Sequence, residues 1–135
     1  MIQRIQTLHL LAAIIIGVIC IIKYLCTPIL FSGPNVVSFA HYLNIGILLI
    51  SILLSTWSIF LFKNRPLQMR IVMLSVFFLI LYYLIVIVCF FSHSITEPWS
   101  NIWFYLPILC IFFNIMAKKR IKYDENLVRS ADRLR

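Results

Sequence analysis

The chain has 135 residues, of which 63% are hydrophobic and 12% charged, and it carries a net charge of +8. A soluble globular domain is roughly half apolar and about a quarter charged, so this composition excludes that class and points to lipid as the solvent. The positive charge sits in the short segments between and after the apolar runs, as membrane-flanking charge does, which argues against a nucleic-acid partner.

A bilayer core about 30 Å thick needs about 20 helical residues, because backbone amides in lipid must be satisfied within the segment. Four runs reach that length, at 5–25, 40–62, 71–91 and 99–117, followed by a basic, amphipathic tail over 118–135. The expected fold is an all-α membrane protein, a four-transmembrane-helix bundle with up-down-up-down connections. Span one opens like a signal peptide after Arg4, but its apolar stretch is too long and no small-x-small cleavage site follows, so it is expected to be retained. Segment 26–39 has turn chemistry at Ser32-Gly33-Pro34-Asn35 between apolar flanks, which suits a small hairpin lying on the bundle. Short connections make spans two, three and four antiparallel neighbours. Pro98 fits the first turn of span four, and Pro107 is expected to kink it.

Orientation follows from Lys and Arg, which accumulate in cytoplasmic connections. Arg4 precedes span one, Lys63, Arg65 and Arg70 lie between spans two and three, and Lys118, Lys119, Arg120, Lys122, Arg129, Arg133 and Arg135 follow span four. Only Lys23 falls elsewhere, at the end of span one, where it can snorkel outward. Both chain ends are therefore assigned to the cytoplasmic side of the membrane. On the opposite side, Tyr24, Tyr42, Trp99, Trp103 and Tyr105 occupy the positions of an aromatic belt.

Helices associate in lipid through close packing and polar contacts, so small and weakly polar residues should gather on facing stripes. Each span carries one at alternating three- and four-residue steps. Span one has His9, Ala13, Ile16 and Cys20; span two has His41, Asn44, Leu48, Ser51, Ser55 and Ser58. Span three has Ser75, Tyr82, Cys89 and His93; span four has Pro107, Cys110, Asn114 and Ala117. Cys20, Cys26, Cys89 and Cys110 show no C-x-x-C spacing and are read as free thiols, with a Cys26–Cys89 pair as the alternative if that face is oxidising.

No Asp, Glu or Arg occupies the middle of a span, which argues against ion-coupled transport. The chain also lacks G-x-S-x-G, H-E-x-x-H and P-loop motifs, so no enzymatic role is assigned. No metal or cofactor is assigned either. The one cofactor-binding alternative is a haem or quinone held by His41 and His93, both near the outer face.

In the tail, Lys118, Lys119, Arg120 and Lys122 form a basic anchor for lipid headgroups, at about 1 kcal/mol per residue near an anionic surface. Beyond them, Asp124 or Asn126 is placed to cap a short helix with Leu127, Ala131 and Leu134 on one face. Asp124, Glu125 and Asp132 would weaken a purely lipid-binding patch, so a protein docking site is the other reading of this segment.

Three segments carry a family resemblance: Met1-Ile2-Gln3-Arg4-Ile5-Gln6-Thr7-Leu8, Leu67-Gln68-Met69-Arg70, and the ending from Asp124 to Arg135. With these the chain resembles a Bacteroidota family of small four-span membrane proteins catalogued as a domain of unknown function. The resemblance implies a bacterial inner membrane and supplies no activity. All three segments fall on the cytoplasmic side of the derived topology. That makes Gln3, Arg4, Gln6, Gln68, Arg70, Arg129, Asp132 and Arg133 the candidate partner-binding residues, or contacts that tie the tail to its own bundle. The expected function is a non-enzymatic accessory or scaffold subunit of an inner-membrane complex. A redox protein using His41 and His93 is the alternative, and a small uncoupled channel or carrier the second.

Overall fold

The computed structural model describes residues 2–26, 36–62, 64–91 and 102–133, with side chains over 6–26, 39–62, 64–91, 104–128 and 130. The outer-loop hairpin expected at 26–39 and the turn holding Pro98 lie mostly outside them. The described residues form four long helices: α1 (Ile2–Cys26), α2 (Val36–Phe60), α3 (Arg65–Phe91) and α4 (Leu106–Arg133), with a 3-10 turn at Ile102–Tyr105 leading into α4.

Three of these helices, over Gln6–Cys26, Phe39–Phe60 and Arg65–Phe91, are long and apolar enough to cross a membrane. Their outward faces carry large apolar side chains at every level, among them Leu8, Leu53, Phe77 and Leu84, all exposed. Water would not tolerate so much continuous apolar surface on a monomer, whereas acyl chains solvate it. These helices mark the chain as a membrane protein.

The helices pack in a ring, α1 on α2, α2 on α3, α3 on α4, and α4 back on α1. The inward faces repeat at three- and four-residue steps, as facing helices require. On α1 the buried positions are Gln6, Leu10, Ala13, Gly17, Cys20 and Tyr24; on α3 they include Gln68, Val72, Ser75, Leu79, Tyr82, Val86 and Cys89. The predicted stripe on α2 also turns inward, with Asn44, Leu48, Ser51, Ser55 and Ser58 all buried. One apolar cluster, including Cys20, Leu48, Leu79, Tyr82 and Cys110, fills one half of the interior. A second, built from Leu10, Val72, Ala117 and Ile121, fills the other.

Three boundaries differ from the sequence expectation, each for a local reason. α3 starts at Arg65 and not near residue 71, because the Asn64 carbonyl accepts from the Gln68 amide (3.0 Å). Pro66 sits in that first turn, where its missing N–H costs nothing. Pro107 does not kink a span: it is the second residue of α4, in an equally permissive position. The third difference is the largest. α4 does not stop where its composition turns charged, but runs unbroken through Ala117 and Lys118 to Arg133. Cys26 and Cys89 are free thiols, Cys26 exposed and Cys89 buried, so the alternative pairing is not formed.

Close approach of α1 and α2 depends on Gly17. A Cβ added there would lie 2.8 Å from Ile52 Cγ1, whereas one at Gly46 would meet nothing within 4 Å. Gly17→Leu should therefore lower the thermal unfolding midpoint in detergent, at a cost of about 1–3 kcal/mol from overpacking. Gly46→Ala should leave the midpoint unchanged or raise it slightly. Equal effects at the two positions would contradict this packing.

Candidate functional site

Mid-bundle, a polar layer joins three helices. Ser55 Oγ lies 3.1 Å from Ser75 Oγ, 3.3 Å from Asn114 Oδ1 and 2.9 Å from the Ser51 carbonyl oxygen. Having a single proton, the Ser55 hydroxyl donates to one of the latter two oxygens and accepts from Ser75. Asn114 Nδ2 donates to the Cys110 carbonyl (2.9 Å). On the same helix, the Ser58 hydroxyl one turn away and Asn44 three turns away are fully buried without hydrogen-bond partners among the described residues.

A second polar grouping closes one end of the ring. The inward face of α4 continues past Ala117 in the same register, so Ile121 and then Asp124 point into the bundle. Gln6 Nε2 of α1 donates to Asp124 Oδ2. Arg65 Nη1, at the start of α3, donates to the Asp124 backbone carbonyl (2.9 Å). Gln68 is buried one helical turn out from Val72, as Gln6 is from Leu10 and Asp124 from Ile121. These groups clasp α4 to α1 and α3. Asp124 also faces the end where α1 and α3 begin. Its second oxygen, Oδ1, is buried and lacks a hydrogen-bond partner among the described residues.

The other end is aromatic. Tyr24 of α1 and Tyr82 of α3 bond through their hydroxyls. His41 stacks on Tyr24 with ring centroids 5.8 Å apart, and Tyr83 donates to the Phe104 carbonyl (2.7 Å).

The structure thus separates the candidate residues chosen from sequence. Gln6 is used internally in the clasp and Gln68 is buried beside it, whereas Arg70 is exposed. Gln3, Arg4, Arg129, Asp132 and Arg133 lie on described helices, but their side chains fall outside the described residues. Lys118 is half-buried, and Lys119, Arg120 and Lys122 are exposed on α4. His41 is half-buried within the aromatic end, and His93 lies outside the described residues. Among the described residues, no three His, Cys, Asp or Glu side chains converge as a metal site.

Asp124 and Arg65 were the residues sequence reasoning missed. The sequence pattern offers Asp124 or Asn126 as the cap of a separate short helix, whereas both lie inside α4 and Asp124 is buried. The usable signal was periodic: Cys110, Asn114, Ala117, Ile121 and Asp124 continue one series of four- and three-residue steps across the change in composition.

The family model described as "Domain of unknown function (DUF4293)" matches residues 2–134. The chain belongs to the DUF4293 family. That match takes in α1 through α4 and hence every member of the clasp. No curated protein and no solved structure matches the chain.

The clasp makes a quantitative prediction. Gln6→Ala and Asp124→Ala should each lower the unfolding midpoint, and the double variant should cost less than the sum of the two. The expected coupling is about 1.5–3 kcal/mol, the range for a hydrogen bond to a charged group. Strict additivity in a double-mutant cycle would mean the two side chains do not interact.

Proposed function

We propose that the protein is a non-enzymatic accessory or scaffold subunit of a bacterial inner-membrane complex, docking a partner at its cytoplasmic face. In this reading all four helices span, up-down-up-down, with both chain ends inside. The apolar half of α4 is the fourth span, preceded by the aromatic residues Trp99 and Trp103. Orientation rests on the basic residues of α3 and α4, which share the end closed by Asp124.

The single observation that carries the proposal is the unbroken continuation of α4 to Arg133. Its inward face is clasped through Ile121 and Asp124, while Tyr123, Leu127 and Val128 stay exposed on a stretch rich in charge. Apolar side chains held at fixed spacing beyond the basic anchor suit a protein surface better than they suit water. Lys118, Lys119, Arg120 and Lys122 hold the helix at the headgroup level.

Two experiments test this. Tagged protein purified in mild detergent should retain a stoichiometric partner that Tyr123→Ser/Leu127→Ser/Val128→Ser loses, at an unchanged unfolding midpoint. If wild type and variant retain the same proteins, docking through this face is wrong. A Soret band in the purified protein would instead favour the redox alternative through His41 and His93. For topology, Ser130→Cys in a background without the four native cysteines should react with an impermeant maleimide only after the cells are opened. Labelling of intact spheroplasts would reverse the orientation.

A further inference from the structure

Between α3 and α4, at the end closed by the clasp, runs an open groove. Its floor is apolar, formed by Met73, Leu74 and Phe77, and its rim carries Arg70, Lys118 and Glu125. Arg70, Met73, Leu74 and Phe77 share one face of α3 because they follow one another at three- and four-residue steps. From Arg70 to Phe77 the helix advances about 10 Å, so the floor descends from the charged rim into the apolar zone.

The exposed apolar faces of α1, α2 and α3 meet acyl chains, and contact with lipid alone would single out no groove. Here two helices bring cations to the upper edge of one apolar channel. With two cations and one carboxylate the rim carries a net charge of +1, which a single phosphodiester neutralises. A zwitterionic headgroup leaves that charge uncompensated. Lys118 is half-buried, so its stem packs along the groove while its ammonium reaches the headgroup level.

We propose that the α3–α4 groove is a binding site for one anionic phospholipid. The phosphodiester sits between Arg70 and Lys118, and one acyl chain lies along Met73, Leu74 and Phe77. This rests on the membrane reading above and narrows it, from a basic tail attracted to any anionic surface to one site of defined occupancy. Glu125 limits the affinity by facing the same headgroup.

Native mass spectrometry of the full-length protein, titrated in detergent with phosphatidylglycerol or phosphatidylcholine, tests it. Wild type should bind one phosphatidylglycerol about tenfold more tightly than phosphatidylcholine. Arg70→Gln/Lys118→Gln should lose that preference, and Glu125→Gln should increase it. Arg133→Gln/Arg135→Gln removes the same charge from positions eight and ten residues past Glu125 and should keep the preference. Circular dichroism checks that each variant is folded, and the gain expected for Glu125→Gln does not depend on the fate of the double variants. No headgroup preference in wild type, or equal loss in both double variants, overturns the groove site and leaves the membrane reading standing. A chain that stays monodisperse without detergent overturns the membrane reading itself.

Discussion

Polar side chains on helices with apolar exteriors find partners only in one another and in backbone carbonyls, and the architecture follows from that constraint. An asparagine facing acyl chains gives up hydrogen bonds to water that its own helix cannot fully replace, at a cost of several kcal/mol. Turned inward, Ser55 reaches Ser75 on α3 and Asn114 on α4, so one small side chain ties three helices. The apolar clusters on either side of this layer then pack around a fixed register. Burial of apolar surface from water cannot perform this role in a bilayer, where lipid is as apolar as the core.

The clasp at Asp124 applies the same constraint at the end of the ring. A helix that leaves the apolar zone is normally free to fray or swing, yet α4 is held by a side-chain bond from Gln6 and a backbone bond from Arg65. One face of the extension is thereby fixed and the opposite face is presented at constant geometry. This divides the polar residues of that end by role. Gln6 and Asp124 act in cohesion, whereas Arg70, Lys118 and the exposed residues of α4 remain available to lipid or protein.

Much of the architecture was legible in the sequence. The stripes of Asn44, Ser51, Ser55 and Ser58 on α2, Ser75 and Tyr82 on α3, and Cys110 and Asn114 on α4 were readable because their spacing has one physical meaning in an apolar helix. Composition was the misleading signal. The change at Lys118 looks like a structural boundary, yet helix periodicity crosses it undisturbed to Ile121 and Asp124. Likewise the start of α3 was placed after its charged residues, whereas Asn64 and Pro66 start the helix among them. Arg65 bonds a backbone carbonyl far away in the chain, and no local pattern announces such a contact.

Disulfide trapping between positions 6 and 124 tests the clasp most directly. Gln6→Cys/Asp124→Cys, in a background without the native cysteines, should cross-link efficiently under mild oxidation in isolated membranes. Leu8→Cys/Asp124→Cys should not, because Leu8 faces outward at 63% exposure. Equal cross-linking of the two pairs, or none at 6 and 124 in folded protein, would mean that α4 is not held against α1 and that its extension is a loose tail.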